Sequence, residues 1–206
     1  MSQKLKDKLK PIIYPILYRK SRKKLQNRNF TIISDNCWGG RVYQELGIQY
    51  NSPFIGLFIM SPDYLKLVKN LRYYMSQELV FIENSKYTDK TTYPIGLLAD
   101  IEIHFLHYSS EEEARSKWNR RKERMNWNNL FFKFNDNDKC NNELIKEFDD
   151  LDYNSKVIFS SKKYNDVKSL IYFKERENIG FVGEDLKIYR KYFDVVDWLN
   201  KGGERL

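Results

Sequence analysis

From Phe30 onward the chain alternates short apolar runs with longer segments of helical pattern, and this alternation limits the possible folds more than any other feature. The first three apolar runs, at 31–34, 54–60 and 79–83, are predicted strands, and the segments between them have helical periodicity. Strands joined by helices favour a parallel sheet that is covered on both faces. We therefore predict a single three-layer α/β/α domain with a mixed, mainly parallel sheet.

The second half of the chain continues the alternation with shorter elements. The run 97–108 is predicted to be one strand. Ser109 and Ser110, each followed three residues later by glutamate, predict a capping box for a helix that ends near Met125. The other predicted elements are strands at 130–134, 156–160, 170–173 and 179–182 and helices at 142–151 and 195–200. A length of 206 residues fits one domain.

The net charge of +8 belongs to one end of the chain. Residues 1–28 contain ten lysines and arginines against one acidic residue, Asp7, so residues 29–206 carry a net charge of −1. We therefore divide the chain into an N-terminal basic arm, 1–28, and an α/β domain, 29–206. Because the domain is nearly neutral, a nucleic-acid-binding role is disfavoured.

The basic arm contains a short patch of apolar and aromatic residues: Ile12, Ile13, Tyr14, Ile16, Leu17 and Tyr18. Peripheral contact with an anionic membrane is one interpretation. Packing of the patch on the domain is the favoured one, because Pro11 and Pro15 interrupt any long amphipathic helix. No apolar run is long enough to span a bilayer. Two cysteines in unrelated contexts, with no signal peptide, predict a cytoplasmic protein without disulfides, with membrane association as an option.

The segment 35–40, Asp-Asn-Cys-Trp-Gly-Gly, follows the first predicted strand, where ligands of open α/β sheets bind. We expect its residues to contact a ligand: Asn36, Cys37, Trp38, Gly39 and Gly40. The positive end of the next helix favours a thiolate, so Cys37 is a candidate nucleophile. The alternatives for Cys37 are packing beneath Trp38, which is the commoner use of a cysteine, and ligand contact without covalent chemistry.

Asp100, Glu102 and His104 occupy alternate positions of the predicted strand 97–108 and so share one of its faces. They are candidates for a general base with an orienting carboxylate or for a metal site; the alternative is a solvated strand face. His104 and His107 are the two histidines of the chain, and either is a candidate base for Cys37. His107 lies closer to the predicted end of the strand.

On the following predicted helix, Arg121 lies on the same stripe as Ala114, Trp118 and Met125. An arginine on an apolar stripe needs a partner, and an internal salt bridge is favoured over an anion of a ligand. Arg124 adds positive charge beside it. The sequence Asn-Asp-Asn-Asp at 135–138 is typical of a turn, and a cation site of a sugar transferase is the lesser alternative.

Three segments, at 34–59, 63–71 and 93–126, together resemble a bacterial family, domain of unknown function nineteen-nineteen. The resemblance covers about residues 30–200. Members of this family are often described as exopolysaccharide biosynthesis proteins, and some resemble or accompany acyltransferases. The residues that match its recurrent pattern are Asn36, Cys37, Trp38, Gly39, Gly40, Tyr43, Gln44, Ser52, Pro53, Gly56, Asp100, His104, His107, Trp118, Arg121 and Arg124. The resemblance implies a role in making or modifying surface sugars, but it does not identify catalytic residues.

Combined with the sugar-related role that the resemblance implies, the candidate residues lead to the hypothesis of group transfer to or from a carbohydrate, with a sugar, nucleotide-sugar or acyl-thioester substrate. In this hypothesis Cys37 is nucleophile or contact residue, and His107 or His104 is the base. Asp100 or Glu102 orients that base or binds a metal, and Arg121 with Arg124 holds a phosphate. The alternatives are a cysteine hydrolase and a non-catalytic carbohydrate-binding or scaffolding protein. The cofactor, the metal and the oligomeric state stay open.

Overall fold

The structure is a computed structural model that describes residues 12–202. Its strands are β1 (Thr31–Ser34), β2 (Leu79–Ile82), β3 (Ile95–Leu98), β4 (Ile101–His104), β5 (Leu130–Asn135), β6 (Lys156–Ser160) and β7 (Leu170–Tyr172). Its labelled helices are α1 (Arg19–Lys24), α2 (Trp38–Leu46), α3 (Ser61–Lys69), α4 (Leu71–Ser76), α5 (Glu111–Lys122), α6 (Asn142–Asp149), α7 (Asp185–Ile188) and α8 (Val195–Asn200). Short 3₁₀ helices cover Lys174–Ile179 and Tyr189–Lys191.

Four parallel strands in the order β1-β5-β6-β7 form the main sheet. Because the strands are parallel, Ser34, Asn135, Ser160 and Tyr172 all end at one edge, which we call the carboxyl edge. The opposite side, where these strands begin, is the amino edge. The loops that follow β1, β5 and β6 therefore leave the sheet together, and this edge is where an open α/β sheet binds ligands.

Successive side chains of the main sheet enter two separate cores. Ile32 of β1 and Phe131 of β5 pack with residues of α2 and α8, whereas Ile33 and Phe132 pack with α3, α4 and α6. The second core is completed by the antiparallel sheet β2-β3-β4. Strands buried on both faces explain the continuous apolar runs in the sequence. The predicted mixed α/β class is confirmed.

The predicted strand 97–108 is wrong, because the chain folds there into the hairpin β3–β4. Ala99, at a φ of 53°, and Asp100 form its turn. The carboxylate of Asp100 accepts a hydrogen bond of 2.8 Å from Tyr74 and pairs with Lys66 at 2.6 Å. Tight hairpin turns usually contain Asn-Gly or Asp-Gly, so Ala-Asp gave no turn signal.

Two other predicted strands do not form. Residues 54–60 are buried but extended irregularly, and only Phe58 makes a bridge, to His104. Residues 179–182 are the end of a 3₁₀ helix and the turn after it. The helix predicted from 61 is interrupted at Asn70, which separates α3 from α4. The apolar side chains at 54, 55, 57 and 59 are buried without strand geometry, whereas Ile179 and Phe181 are exposed, so an apolar run alone did not identify a strand in either segment.

The predicted capping box of α5 forms at Ser110, the N-cap, but its return bond comes from the residue before it. The Ser110 side chain accepts a hydrogen bond from the Glu113 N–H at 3.2 Å. In return, the Glu113 carboxylate accepts from the N–H of Ser109 at 2.8 Å. Such reciprocal bonds satisfy N–H groups that a helix start otherwise leaves open.

The described part of the basic arm lies along α2. Residues 1–11 of the arm and 203–206 of the predicted domain lie outside the described residues. Arg22 donates to the carbonyl of Glu45 at 2.9 Å and to that of Gln44 at 3.3 Å, so it caps the end of α2. Among residues 12–202 no helix combines the length and apolar character needed to cross a membrane.

We expect Gly39→Val to lower the free energy of unfolding, because α2 packs directly on β1 at this glycine. A Cβ at Gly39 would lie 3.0 Å from Cγ2 of Ile32 and 3.3 Å from Cβ of Ser34. Overpacking of this kind costs about 1–3 kcal/mol. Urea denaturation measures the change, with Ser116→Val on the exposed side of α5 as the control. Equal stability of both variants would show that α2 can move away from the sheet.

Candidate active site at the carboxyl edge

A cavity of 310 Å³ opens at the carboxyl edge, where segments after β1, β4 and β5 meet the start of α7. Its lining combines polar and apolar side chains: Asn36, Cys37, Phe58, Leu106, Asp138, Gly183, Glu184, Asp185, Leu186 and Lys187. Its carboxylates come from Asp138, Glu184 and Asp185, and its apolar wall includes Phe58 and Leu106. The site predicted at the end of the first strand therefore does coincide with a cavity.

A fully buried lysine stands behind this cavity. Lys133 of β5 places its Nζ 3.0 Å from Asp35 Oδ1 and 2.6 Å from Asp185 Oδ2. Asn36 completes the cluster, because its amide donates to Asp185 at 2.9 Å and its Oδ1 accepts from Lys133 at 3.2 Å. These contacts tie together the end of β1, the strand β5 and the start of α7.

Burial and the neighbouring charges set the ionisation of this cluster. Burial alone would lower the pKa of Lys133, but the carboxylates of Asp185 and Asp35 outweigh it and raise that pKa. Burial also raises the pKa of Asp35 to about 7, although Lys133 opposes the shift. Lys133 is therefore charged at neutral pH, and its charge counteracts the effect of burial on the Asp35 carboxylate.

Sequence patterns did not single out Lys133 or Asp185. The one signal for Lys133 was a lysine inside the otherwise apolar run Leu-Phe-Phe-Lys-Phe at 130–134, which places a charge in a predicted buried strand. Asp185 lies 150 residues after Asp35 in an irregular region, so only the folded chain brings the two carboxylates together.

Cys37 lines the cavity at the N-cap of α2, but its surroundings favour the protonated thiol over the thiolate. Its Sγ contacts the Leu57 carbonyl oxygen at 3.6 Å. Burial, followed by the charge of Asp185, raises the pKa of Cys37 to about 11. This direction is opposite to the lowering expected from the helix dipole, because burial and two carboxylates outweigh the dipole and Lys133.

No hydrogen bond or ion pair of the described chain joins Cys37 to a histidine. The ring of His104 stacks on Phe58, with centroids 4.5 Å apart. His107 is exposed, and its backbone N–H bonds to the Gly56 carbonyl at 3.0 Å. The catalytic roles of Cys37, His104 and His107 stay predictions, and this arrangement gives the thiol no base.

The other residues of the predicted ligand loop belong to the core. Trp38 is fully buried and packs edge-on against Phe159 and Tyr189. Gly39 faces β1, and a Cβ at Gly40 would lie 3.2 Å from Ile55. Of the five residues expected to contact a ligand, Asn36 and Cys37 line the cavity, whereas Trp38 and the two glycines let α2 pack closely on the sheet.

Glu102 and His104 form a buried pair within the antiparallel sheet. The carboxylate of Glu102 accepts hydrogen bonds from Ser85 Oγ at 2.6 Å and the Lys86 N–H at 2.7 Å. His104 Nε2 lies 3.5 Å from Glu102 Oε2, and neither ring nitrogen has a hydrogen-bond partner among residues 12–202. Burial lowers the pKa of His104 despite the nearby carboxylates, so this ring is neutral at pH 7. Asp100 lies apart, in the hairpin turn.

The two aspartates of the Asn-Asp-Asn-Asp segment have different surroundings. Asp136 accepts hydrogen bonds from the N–H groups of Ser161 at 2.6 Å and Val182 at 2.7 Å, and so fixes the loops beyond β5 and β6. Asp138, at a φ of 50°, lines the cavity with an exposed side chain. Within the described chain, no group of three or more His, Cys, Asp or Glu side chains could hold a metal ion.

A different cavity, of 680 Å³, lies between the segment after α2 and the end of α5 with the turn that follows it. Its lining is Ile48, Gln49, Tyr50, Arg120, Arg121, Glu123 and Arg124. Both segments lead to the start of β1, because Thr31 Oγ1 donates to the Asn51 carbonyl and accepts from the Asn126 N–H, each at 2.8 Å. This cavity is therefore at the amino edge. Arg121 and Arg124, which the group-transfer hypothesis combines with Cys37, line this cavity, whereas Cys37 lines the other.

Comparison with known proteins places the chain among relatives without an assigned activity. A family model described as "Domain of unknown function (DUF1919)" matches residues 9–200. A protein of Haemophilus influenzae, described as "Uncharacterized protein", is 40% identical over 189 residues, which cover 88% of this chain and 89% of the relative. The family resemblance of the sequence is therefore confirmed.

We expect alkylation of Cys37 by iodoacetamide to be slow at pH 7 and to accelerate about tenfold per pH unit up to pH 9.5, because only the thiolate reacts. Mass spectrometry of a Cys140→Ser variant follows this one thiol. In urea the same cysteine should titrate near its ordinary pKa of about 8.5. An inflection below pH 8 in the folded protein would restore Cys37 as a nucleophile.

Proposed function

We propose, from the premise that the chain belongs to the DUF1919 family, that it binds a carbohydrate at the carboxyl-edge cavity and acts in group transfer to or from that sugar. The observation that carries the proposal is the composition of this cavity, in which hydrogen-bond acceptors lie beside an apolar wall. The link to exopolysaccharide biosynthesis rests on the family resemblance of the sequence and is part of the same proposal.

The chemistry of the lining suits a sugar ring. Asn36, Asp138 and Glu184 can accept hydrogen bonds from hydroxyl groups, and Phe58 and Leu106 offer apolar surface to the C–H face of the ring. The volume of 310 Å³ is at the small end of ligand sites. A cavity of this size and polarity fits a monosaccharide unit better than an extended cofactor.

The charge of the cavity limits the group that enters it. Its lining has three carboxylates and one cation, Lys187, which pairs with Glu184 at 2.6 Å. The buried charge of Lys133 is already shared between Asp35 and Asp185. A diphosphate would meet net negative charge here, so the site favours a sugar hydroxyl acceptor over the phosphates of a nucleotide sugar.

Asp138 is the proposed general base. Its side chain is exposed and lines the cavity, and among residues 12–202 its carboxylate has no hydrogen bond or ion pair, so it can accept a proton from a ligand. In the transfer step a sugar hydroxyl gives its proton to Asp138 while its oxygen bonds to the group supplied by an activated donor. The leaving group of that donor departs with the bonding electron pair. Cys37, as a neutral thiol, contributes a wall of the cavity.

This arrangement disfavours the cysteine hydrolase alternative. A hydrolase of that class needs a thiolate beside a base, and Cys37 has a raised pKa and no histidine contact in the described chain. The non-catalytic carbohydrate-binding alternative shares the cavity with the transfer proposal. The two differ in whether Asp138 is needed for turnover or only for binding.

We expect neutral hexoses and N-acetylhexosamines to bind, and Asp138→Asn to weaken that binding about tenfold, because a hydrogen bond to a charged acceptor is worth about 1.5 kcal/mol. Saturation-transfer NMR and calorimetry with a panel of sugars measure this. Asp89→Asn, at an exposed aspartate outside the cavity, is the matched control.

Absence of binding by every sugar in the panel, or equal affinity of both variants and wild type, would contradict the proposal. Incubation of bound sugars with acyl-thioester and glycosyl donors then tests transfer. Sugar binding without any product would assign the chain to the non-catalytic carbohydrate-binding class.

A further inference from the structure

The structure assigns a second ligand site, for a phosphate-bearing small molecule, to the cavity at the amino edge. Three arginines contribute to its lining, and Glu123 is the single acidic residue there. None of its lining residues is shared with the carboxyl-edge cavity. The helix α2 begins beside Cys37 of the carboxyl-edge cavity and ends before Ile48, Gln49 and Tyr50, which line the amino-edge cavity. The site is therefore separate from the proposed sugar site.

Arg121 is the residue whose charge most strongly indicates an anionic ligand. It is only 7% exposed, and one guanidinium nitrogen donates to Tyr108 Oη at 2.6 Å. The guanidinium carbon also lies 5.0 Å from the centroid of the Tyr50 ring. Among residues 12–202 no carboxylate pairs with Arg121, and its N–H groups that are not bonded to Tyr108 are accessible from the cavity, because none of its nitrogens is a buried atom without a partner. A nearly buried charge is costly unless an anion compensates it.

The neighbouring arginines extend this charge into the cavity. Arg120 is exposed, and Arg124 is half-buried with its Nε bonded to the Arg120 carbonyl at 3.1 Å. Basic residues at the end of α5 also complement the helix dipole. The dipole does not explain why Arg121 is buried against two tyrosines, because a solvent-exposed position would serve it equally well.

The lining identifies the ligand class. Guanidinium groups bind phosphate oxygens through paired N–H donors, and Arg121 is held in a fixed orientation by Tyr108 and Tyr50. Gln49 adds an amide to the lining, which can donate to or accept from a further polar group of the ligand. The cavity volume of 680 Å³ leaves room for more than one phosphate group. Pyrophosphate is therefore the simplest probe of this site.

Calorimetric titration of the full chain with pyrophosphate, at ionic strength held constant with sodium chloride, tests this site. We expect Arg124→Gln to weaken binding at least tenfold and Lys122→Gln, at the end of α5 but outside the lining, to leave it unchanged. Arg121→Lys should also bind more weakly, and Arg124→Gln remains informative if that variant fails to fold.

Equal affinity of Arg124→Gln and Lys122→Gln, or no binding beyond the sodium chloride control, would overturn the assignment. Titration with a sugar in the presence of pyrophosphate separates this result from the proposed function. Loss of one ligand's binding with retention of the other identifies which of the two sites fails.

A different observation, at residues 12–17, carries a second inference. This stretch is helical, and four of its aliphatic side chains are exposed: Ile12 by 65%, Ile13 by 46%, Ile16 by 76% and Leu17 by 62%. Ile12 and Ile16, and likewise Ile13 and Leu17, are four positions apart, so the two adjacent pairs lie on one side of a helix. Exposed large apolar side chains in such a group are unusual on a soluble surface and mark an interaction site.

The opposite side of this stretch is fixed to the domain. Tyr14 is buried, with the Arg41 guanidinium 4.6 Å from its ring centroid, and it packs edge-on against Tyr18 at 5.3 Å. Arg190 lies 4.6 Å from the ring centroid of Tyr18. The arm therefore packs on the body as the favoured interpretation expected, yet its four aliphatic side chains point outward.

We infer that these four side chains enter the headgroup layer of an anionic membrane. Exposed basic residues follow them directly: Arg19, Lys20, Lys23, Lys24 and Arg28. Lysines 4, 6, 8 and 10 precede them in the sequence. Apolar side chains set among cations match a surface of anionic lipid, to which each lysine or arginine contributes about 1 kcal/mol. Charge complementarity thus favours a bilayer over a second copy of this basic arm.

Co-sedimentation of the full chain with phosphatidylcholine vesicles, with and without phosphatidylglycerol, tests this inference. We expect binding only to the anionic vesicles, and at least a tenfold loss for the double variant Ile16→Glu, Leu17→Glu. Ile179→Glu changes an exposed isoleucine elsewhere and should bind like wild type.

Wild-type affinity of the double variant would show that attraction is purely electrostatic and would overturn insertion. Failure of the wild type to bind anionic vesicles, combined with dimers that the double variant abolishes, would assign the apolar side to a second copy of the chain instead.

Discussion

Lys133 carries a positive charge into the middle of the parallel sheet, where Asp35 and Asp185 hold its Nζ at 3.0 and 2.6 Å. An ammonium group in this position would cost several kcal/mol without these partners, and each carboxylate is equally dependent on the lysine. Three segments that are distant in sequence therefore take up fixed positions relative to one another. The carboxyl-edge cavity, whose walls include Asn36 and Asp185, has its shape because this cluster is satisfied.

The two cavities divide the charge of the domain between opposite edges of one sheet. The carboxyl edge offers acceptors from Asp138 and Glu184, whereas the amino edge offers donors from Arg121 and Arg124. Strand polarity makes this separation unavoidable, because α2 begins at one edge and ends at the other.

Local pattern was sufficient to predict the fold class but not the site. Alternation of apolar runs and helical segments is imposed by burial of a parallel sheet on both faces, so it is visible in the sequence. The β3–β4 hairpin was missed because Ala99 takes a positive φ without a glycine. Trp38 and its two glycines were assigned to a ligand because close backbone packing and close ligand approach require the same residue types. The cluster of Lys133 depends on contacts across 98 and 52 positions, which no local pattern contains.

Helix α2 connects two surfaces that have been described separately. Its N-cap, Cys37, lines the carboxyl-edge cavity, and one turn later Arg41 supports Tyr14 of the arm. Because Gly39 and Gly40 have no side chains, the helix packs closely on β1 and on Ile55, with little free space between them. A displacement of the arm would therefore be transmitted to the cavity wall by one closely packed helix, without a flexible loop between them.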